Sequence, residues 1–540
     1  MIAIEGLTIV LCLVAATALV LRFRTRAATN GGTRPALFVG THNNARIIAR
    51  FLANNPYYGY HIVKEYADGL RVSHREPDEA LKTVQLALQR SGACCVFIER
   101  AFMRVKPIVE SAVAGLNRPP PQVKVVSNPA NLLLGAQDVS FVCDLGSQEL
   151  LQRGPVHVDL SNVGECIEDQ TVLVTGAGGS IGSELCRQIS VFNPARIILV
   201  GHGENSLFSI QQELALHYDF TRAVLVLADV ADAARIRSVF SEYRPHIVFH
   251  AAAHKHVPLV ENNICEAIKN NILGTHVVAL AAAAAGCAKL VLLSTDKAVQ
   301  PSSVMGATKR VAELICQSFA HRTPTEFVSV RFGNVLGSRG SALSLFKLQI
   351  DNGGPVTVTH PAMERYFMSI PEAVSLVLEA MAIGRDGQVM VLEMGKPVNI
   401  TTLAEAFIRL LGLRPGTDVQ ISYTGIRPGE KLYEELLTAQ EGLTKTQNEG
   451  ILAAQQEQLD YQVVQAAVKD FRFATHVSDE ALILKTLRAL VPSFTHDDRV
   501  VAASPTSSCA PQEAEPKEPA REVQPEIATP AILLTDEVCI

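Results

Sequence analysis

The chain has 540 residues, of which 48% are hydrophobic and 19% charged, and its formal net charge is -6. This length exceeds one ordinary domain and the composition is globular, so we expect two folded domains with additional segments. An acidic balance without a basic block argues against a nucleic-acid partner. The 11 cysteines form no C-x-x-C pair and no His/Cys cluster at zinc spacing, which argues against a metal site and predicts reduced thiols.

A long apolar segment opens the chain. Residues 2–21 carry few polar side chains, and Arg22, Arg24 and Arg26 follow at once. A helix of about 20 apolar residues crosses a hydrocarbon layer of about 30 Å, and arginines at its end stay cytoplasmic. A cleaved signal peptide is the alternative, but it requires positive charge before the apolar run, where Glu5 stands instead. We therefore expect a single-pass anchor in the inner (cytoplasmic) membrane, with the catalytic part of the chain in the cytoplasm.

A small α/β unit is predicted from residue 35 to 140. It begins with a short apolar strand that leads through Gly40 into a helical stretch. A nucleotide-binding loop would need further glycines, but Asn43, Asn44 and Ala45 follow, and their side chains would obstruct a phosphate. The unit is therefore interpreted as a degenerate Rossmann-like domain used for spacing or self-association, and we expect a homo-oligomer.

The main domain is predicted from residue 169 to 492. Six short apolar runs are separated by helical patterns, and this alternation is typical of an α/β fold with a doubly wound parallel sheet of the Rossmann type. The runs are 171–174, 197–200, 224–227, 247–249, 290–293 and 328–330. Ligands of such sheets bind at the carboxyl ends of the strands, so we expect functional side chains directly after these runs.

A glycine-rich turn follows the first of these strands and leads directly into a helical pattern. Glycines permit a tight turn and let backbone N–H groups approach a pyrophosphate at the positive end of the helix. Strand, turn and helix together predict a dinucleotide site. Its expected contacts are Gly176, Gly179, Ser180, Ile181 and Gly182.

The end of the second strand does not select clearly between the two nicotinamide dinucleotides. NAD-selective folds usually place an acidic residue there to bind the ribose, whereas NADP requires a positive charge for its 2′-phosphate. This chain has Gly201, His202, Gly203 and Glu204 at that position. Glu204 reaches the ribose only if its loop folds back, and His202 is at best a half-charged phosphate partner. Fold-level resemblance to dinucleotide-binding proteins therefore implies NAD or NADP, with NAD favoured slightly.

A hydroxyl, a carboxyl and an amine follow the fifth apolar run in succession. They belong to Thr295, Asp296 and Lys297, and further on Met305 and Lys309 form an M-x-x-x-K spacing. In short-chain dehydrogenases/reductases the corresponding stretch ends in Tyr-x-x-x-Lys, and its tyrosine moves a proton during oxidation of a sugar or alcohol. Methionine cannot move a proton. The combination resembles the membrane-linked nucleotide-sugar 4,6-dehydratases of bacterial polysaccharide synthesis, a branch of the extended short-chain dehydrogenases/reductases that carries the T-D-K triplet and this methionine.

The resemblance covers residues 151–436 and implies roles for further segments. The cofactor contacts that it implies beyond the glycine turn are Asp229, Val230, Ala251, Ala252 and Lys309. Segments 360–368 and 427–432 resemble those with which the family holds the nucleotide diphosphate and closes the sugar pocket. The implied substrate contacts are Lys255, His256, Asn334, Arg365, Arg427 and Lys431. Arginine and lysine suit a diphosphate because it offers paired anionic oxygens.

The implied reaction converts UDP-N-acetylglucosamine, or a close UDP-sugar, to a 4-keto-6-deoxy sugar nucleotide through transient oxidation at C4. Lys297 is the expected base at C5, Asp296 the acid for the C6 hydroxyl, and Thr295 the contact of the C4 oxygen. A base needs a pKa near the working pH, so we expect burial and nearby Lys309 to lower the pKa of Lys297. With Met305 in the tyrosine position, the C4 hydroxyl proton leaves through Thr295 and water or through Asp296, and the sequence leaves this open.

Two other classes of protein share parts of the pattern. A nucleotide-sugar epimerase or reductase would have the same fold, but it is expected to keep the tyrosine and has no use for an adjacent acid and base. A non-catalytic membrane-tethered scaffold would keep the fold as well, yet it gains nothing from retaining Asp296, Lys297 and Lys309 together.

The C-terminal segment, 500–540, differs in composition from the rest of the chain. Prolines are interspersed there with Ala, Ser and Glu, and such a sequence cannot bury a core. We therefore predict a disordered tail.

Overall fold

The computed structural model describes residues 33–40, 42–54, 59–63, 77–99, 105–116, 119–126, 150–151, 160–436, 442–454 and 459–496. The predicted anchor at 2–21 and the predicted tail at 500–540 lie outside these residues. Among the helices that are described, none is both long enough and apolar enough to cross a membrane.

The first domain is built around a four-stranded parallel sheet in the spatial order β2-β1-β3-β4. Its strands are β1 (Arg34–Val39), β2 (Tyr60–Ile62), β3 (Cys95–Glu99) and β4 (Gln122–Val126). The helices described with them are α1 (His42–Asn54), α2 (Pro77–Ser91) and α3 (Lys106–Ala114). The central strands β1 and β3 are buried over most of their length, as parallel strands covered by helices are. A small α/β unit was expected here, and its inability to bind a nucleotide stays a prediction.

The main domain contains a nine-stranded sheet. With strands numbered in chain order, its parallel part consists of β5 (Thr171–Thr175), β6 (Arg196–Gly201), β7 (Ala223–Leu227), β8 (Ile247–His250), β9 (Lys289–Leu293), β10 (Glu326–Arg331) and β15 (Val389–Leu392). The spatial order β7-β6-β5-β8-β9-β10 is the doubly wound arrangement, in which the order of strands reverses between β5 and β8. The six apolar runs predicted from the sequence are the six strands of this core.

One edge of the large sheet departs from the prediction of a parallel sheet. Strands β18 (Leu443–Lys445) and β19 (Ile451–Ala454) join it through antiparallel pairing of β19 with β15. The sheet is therefore mixed, because β19 pairs antiparallel with β15 and β18 pairs antiparallel with β19.

Thirteen helices are described in the main domain; most of them cover the two faces of the large sheet, and two pack in the lobe that follows β10. They are α4 (Ser161–Ile167), α5 (Ser180–Val191), α6 (Glu204–His217), α7 (Ala233–Tyr243), α8 (Val257–Glu261), α9 (Ile264–Ala267), α10 (Gly274–Ala285), α11 (Val304–Phe319), α12 (Ala342–Asp351), α13 (Ile370–Ile383), α14 (Ile400–Leu410), α15 (Tyr461–Val477) and α16 (Glu480–Leu490). A π-helical turn, Ile268–Leu273, joins α9 to α10.

Two apolar layers enclose the large sheet. Side chains of α10, α11, α15 and α16 form one buried cluster with one face of the strands, and those of α5 and α13 form another with the opposite face. Because both faces are buried, β5 and β9 contain continuous apolar runs rather than alternating ones, whereas β10 also buries Ser329 and Arg331. The carboxyl ends of these strands remain open to ligands.

A smaller lobe follows β10 and faces those carboxyl ends. It contains three two-stranded sheets, which pair β11 (Asn334–Leu336) with β14 (Phe367–Ser369), β12 (Val356–Val358) with β17 (Ile421–Tyr423), and β13 (Glu364–Arg365) with β16 (Val398–Asn399). Residues from this lobe and from the strand ends line a common cavity. The fold therefore places the site between the large sheet and the lobe.

Candidate active site

The glycine turn lies between β5 and α5 with little free space around it. A Cβ on Gly182 would lie 2.1 Å from the carbonyl oxygen of Gly176, and one on Gly176 would lie 2.9 Å from the backbone nitrogen of Ala252. Gly176 also adopts a positive φ of 64°. Helix α5 then begins at Ser180 with Gly179 as its N-cap. The turn thus exposes the backbone N–H groups of a helix N-terminus, which is the geometry that a pyrophosphate requires.

A buried network of polar side chains lies beneath this turn. His250 Nδ1 is 2.7 Å from Thr175 Oγ1, and His250 Nε2 is 3.0 Å from Thr275 Oγ1. Asn271, in the π-helical turn, donates to Thr308 Oγ1 at 3.0 Å and to the His254 carbonyl at 3.0 Å. The network links β5 and β8 to the helix that carries Met305 and Lys309. Sequence analysis missed it, because its members are far apart in the chain.

The Thr-Asp-Lys triplet occupies a short 3-10 turn at the end of β9. Thr295 Oγ1 donates a hydrogen bond of 2.8 Å to Asp296 Oδ1, and Lys297 Nζ donates one of 3.0 Å to the same oxygen. Lys297 Nζ also donates to Asn334 Oδ1 at 2.9 Å. Asp296 is fully buried, and its Oδ2 has no hydrogen-bond partner among the described residues. The three predicted catalytic groups are therefore in direct contact.

The electrostatic surroundings of Lys297 differ from the expectation. Burial by itself lowers the pKa of Lys297, but Asp296 and, at 3.7 Å, Glu434 outweigh it, so that the pKa is raised from its ordinary value. The prediction that burial and Lys309 would lower this pKa was wrong. The reason is the pair of carboxylates beside the ammonium: Asp296 is its neighbour in the chain, and Glu434 comes from a segment more than a hundred residues away.

Met305 and Lys309 lie on α11, whose N-cap Ser303 accepts a hydrogen bond from the Gly306 N–H at 3.1 Å. A Cβ on Gly306 would lie 2.2 Å from the Lys297 carbonyl oxygen, so glycine allows the helix to pack on the triplet. Burial lowers the pKa of Lys309 to about 8, although Glu313 opposes this shift. Met305 is 3% exposed and lies in the apolar core at the cavity wall.

A buried ion pair holds the ends of β9 and β10 together under the site. Glu313 accepts hydrogen bonds from Ser294 Oγ at 2.6 Å and from Arg331 Nε at 2.8 Å. Burial raises the pKa of Glu313, but Arg331 more than compensates, and the net shift is downward. The charged carboxylate therefore anchors the residue immediately before Thr295.

The cavity beside these groups has a volume of about 950 Å³, which is at the upper end of the range for ligand sites. The predicted residues that line it are Gly176, Gly179, Ser180, Ile181, Gly182, Ala251, Lys255, His256, Thr295, Lys297, Met305, Lys309, Asn334, Arg365, Arg427 and Lys431. The predicted residues outside its lining are Asp229, Val230, Ala252 and Asp296. Of these, Asp296 lies directly behind Thr295 and Lys297, to which it is hydrogen-bonded.

The three basic residues implied for substrate binding in the lobe already have internal partners. Arg365 donates to the Lys431 carbonyl at 2.6 Å, and Lys431 Nζ donates to the Val299 carbonyl at 3.0 Å. Arg427 is exposed and pairs with Glu430 at 3.2 Å. These contacts hold segment 427–434 against the triplet, so Arg365 and Lys431 act on the shape of the cavity as well as on its charge.

Arg339 is a cavity residue that sequence analysis did not identify. Its Nη1 donates to the Gly178 carbonyl at 2.9 Å, and its backbone N–H donates to Ser180 Oγ at 3.1 Å, so it bridges the lobe to the glycine turn. Nearby Lys255 Nζ donates to Ser338 Oγ at 3.3 Å. Neither cation has a carboxylate within 4.0 Å among the described residues, which leaves both charges available to an anionic ligand.

The glycine turn, the triplet and the M-x-x-x-K helix on a doubly wound sheet define a protein with the fold of the extended short-chain dehydrogenases/reductases. The chain belongs to the polysaccharide biosynthesis protein family, whose model matches residues 172–456.

Individual relatives are consistent with this family. The chain is 55% identical over 316 residues to the capsular polysaccharide biosynthesis protein CapD of Staphylococcus aureus, which covers 58% of this chain and 53% of that protein. It is 53% identical over 323 residues to the probable polysaccharide biosynthesis protein EpsC of Bacillus subtilis, or 59% and 53% of the two chains. The chain thus matches about half the length of these curated relatives. It is also 33% identical over 279 residues to a UDP-glucose 4-epimerase of Rickettsia typhi, or 51% and 79% of the two chains.

Proposed function

We propose that this protein is a nicotinamide-dependent nucleotide-sugar 4,6-dehydratase that acts on UDP-N-acetylglucosamine or a close UDP-sugar in polysaccharide or glycan synthesis. The observation that carries the proposal is the contact of Thr295, Asp296 and Lys297 at the end of β9, beside a helix with Met305 in place of a tyrosine. An acid and a base in contact suit elimination of water, whereas a simple alcohol oxidation needs one proton carrier.

The glycine turn fits a dinucleotide, because its close backbone packing at Gly176 and Gly182 brings the N-terminus of α5 to the cavity. NAD or NADP would supply the acceptor for hydride from C4 and its return to C6. Lys309, whose pKa is lowered, and Arg339 both line this cavity and would hold the ribose and the pyrophosphate.

The hydrogen bond from Thr295 to Asp296 supports a path for the C4 hydroxyl proton. Thr295 Oγ1 accepts that proton while it passes its own to Asp296, since the two oxygens are 2.8 Å apart. Asp296 is then protonated and supplies the proton with which the C6 hydroxyl leaves as water. This relay joins Thr295 and Asp296, each of which belonged to one of the two routes left open by the sequence, and it requires no proton transfer by Met305.

Lys297 removes the C5 proton in this proposal and returns it to C5 at the end of the cycle. Its ammonium is held in place by Asp296 and Asn334, and it lines the cavity. The base must be neutral to accept a proton, whereas the surrounding carboxylates favour the ammonium. The mechanism therefore requires a proton acceptor for the ammonium of Lys297.

An epimerase is the second candidate, because a relative at 33% identity carries that name. An epimerase returns hydride to C4 and loses no water, so it gains nothing from a buried acid beside a base. Met305 also removes the proton carrier that an epimerase of this fold is expected to use.

We further propose that residues 2–21 anchor the protein in the cytoplasmic membrane and that the catalytic domain lies in the cytoplasm. The support is the apolar composition of this segment and the three arginines that follow it. We also propose that the first domain serves self-association, because Asn43, Asn44 and Ala45 stand where a nucleotide-binding loop would need glycines.

Incubation of the purified protein with UDP-N-acetylglucosamine and NAD or NADP tests the enzymatic proposal. We expect a sugar nucleotide lighter by one water in the mass spectrum. A product of unchanged mass with an inverted C4 would instead establish the epimerase, and an unchanged substrate would favour a scaffold.

A further inference from the structure

Glu434 is a buried carboxylate at the cavity wall that has no role in the steps assigned to Thr295, Asp296 and Lys297. Its side chain is 4% exposed, and its Oε2 has no hydrogen-bond partner among the described residues. Its Oε1 lies 3.7 Å from Lys297 Nζ and 3.5 Å from Arg365 Nε. An unpartnered buried carboxylate oxygen costs free energy, so its presence in a ligand cavity calls for a functional explanation.

The position of Glu434 is fixed by the segment that carries it. Arg365 donates to the Lys431 carbonyl, Lys431 Nζ donates to the Val299 carbonyl at 3.0 Å, and Ser302 Oγ donates to the Gly429 carbonyl at 3.0 Å. These bonds tie the segment to the chain on the far side of the triplet. These hydrogen bonds hold the carboxylate of Glu434 beside Lys297, and none of them is made by the Glu434 carboxylate or the Lys297 ammonium.

The proposed reaction requires an acceptor for the proton that Lys297 loses before it acts as a base. Among the described residues, Asp296 and Glu434 are the carboxylates within 4.0 Å of Lys297 Nζ. Asp296 receives the C4 hydroxyl proton through Thr295 and has to keep it for the C6 hydroxyl. The proton that Lys297 must lose before it acts as a base therefore has Glu434 as its acceptor.

We propose that Glu434 takes a proton from Lys297 and so converts the ammonium into the amine that attacks the C5 proton. The inference rests on the proposed dehydratase function. An N–H bond of Lys297 breaks, an O–H bond forms on Glu434, and the electron pair stays on Nζ. The amine then takes the C5 proton while the C5–H electrons form the C5=C6 bond and the C6 hydroxyl leaves with the proton of Asp296. Lys297 finally returns the proton to C5, and Glu434 returns its own to Nζ.

The pair has a consequence for the pH profile. Ammonium with carboxylate and amine with carboxylic acid carry the same net charge, so the active form arises without exchange of a proton with solvent. Turnover is then nearly independent of pH around neutrality. The charged groups that face the pair are Asp296 on the 3-10 turn, Arg365 on β13 and, 3.7 Å from Arg365, Glu430.

Glu434→Gln tests the inference, with Glu435→Gln as a matched control, because Glu435 is the exposed neighbour of the same type. With UDP-N-acetylglucosamine we expect Glu434→Gln to lower kcat about 100-fold at neutral pH and to change KM less than about threefold. The residual rate should rise about tenfold per pH unit, because Lys297 must then lose its proton to solvent. Glu434→Asp keeps a carboxylate and should recover part of the rate, and Glu435→Gln should behave as the wild type.

The outcomes separate the inference from the function on which it rests. A wild-type protein that removes no water from UDP-N-acetylglucosamine overturns the proposed function and this inference with it. If the wild type is active and Glu434→Gln is equally fast or faster at neutral pH, Glu434 only strengthens the charge on Lys297, and the inference alone fails. Equal losses in Glu434→Gln and Glu434→Asp, without a pH-dependent residual rate, overturn it as well, since they indicate a packing defect.

Discussion

Asp296 and Lys297 differ from ordinary polar residues at a strand end because they are in contact with each other and Asp296 is fully buried. Asp296 is fully buried and accepts hydrogen bonds from Thr295 and Lys297 on one oxygen, while the other oxygen has no partner among the described residues. Burial of a carboxylate with incomplete hydrogen bonding is unfavourable for stability, and such sites are common where a residue has a chemical task.

At the residue scale, we expect Asp296→Asn and Lys297→Ala each to lower turnover about 100-fold or more, since each removes a positioned proton carrier. Dinucleotide binding should persist, because neither side chain belongs to the glycine cradle. Product mass spectrometry and calorimetric titration with the dinucleotide measure the two effects. Asp470→Asn and Lys469→Ala, on the exposed face of α15, serve as controls. Near-wild-type dehydration by either active-site variant would remove its assigned role.

Met305 allows a second test at this scale. If Thr295 relays the C4 proton, Met305 only fills space against the sugar and nicotinamide, and its volume matters more than its chemistry. Met305→Leu should therefore lose less than about tenfold in rate, as a near-isosteric change costs under about 1.5 kcal/mol. Thr295→Val should lose far more, because it deletes the hydroxyl that donates to Asp296. Steady-state rates compare the two, and a faster Thr295→Val enzyme would contradict the relay.

At the element scale, α11 contributes both to the hydrophobic core and to the candidate active site. It packs its apolar residues into the core, carries Glu313 into the ion pair under the triplet, and presents Met305 and Lys309 to the cavity. Lys309 is 5% exposed, and no hydrogen bond from its ammonium is found within the described part of the chain. Burial of an amine in this way lowers stability, and the proposed dinucleotide would give the ammonium a partner.

The pKa of Lys309 predicts the size and the pH dependence of this cost. The pKa of about 8 in the folded protein lies below the ordinary lysine value of 10.5, so folding opposes protonation. The penalty is complete below about pH 8 and disappears as the pH rises towards 10.5, since over this window the unfolded chain binds more protons. Lys309→Met should therefore stabilise the protein without dinucleotide by on the order of 3 kcal/mol at pH 7, and by much less at pH 10.

Urea unfolding at the two pH values measures this difference, with the exposed Lys396→Met as the control. The variant should be inactive despite its higher stability. An unchanged or lower midpoint for Lys309→Met at pH 7 would show that the ammonium is better stabilised than its burial implies.

At the scale of the whole molecule, the proposed catalytic groups lie between residues 176 and 434, and all of them belong to the main domain and its lobe. A chain that begins at Arg34 should therefore be soluble and should dehydrate the substrate at a rate close to that of the full chain. Sedimentation after membrane removal and product formation test this expectation. A truncated protein that folds but does not turn over would mean that residues 1–33 contribute to the active site.

The sequence by itself determined the elements and the identity of the reactive groups. The six apolar runs became the six core strands because parallel strands buried on both faces must be apolar throughout. The glycine turn and the triplet follow β5 and β9 directly, and a doubly wound sheet brings those strand ends to one edge. Local patterns of this kind are encoded within a few consecutive residues.

Only the tertiary structure decided the charge state of the site and the partners of its side chains. Glu434 faces Lys297 from a segment more than a hundred residues along the chain, and together with Asp296 it raises the pKa of Lys297, which burial alone would lower. Arg365 and Lys431 likewise donate hydrogen bonds to backbone carbonyls that are distant in the chain, and no local sequence pattern predicts these contacts. Electrostatic energies depend on distances and burial in space, and these arise when the lobe closes over the strand ends.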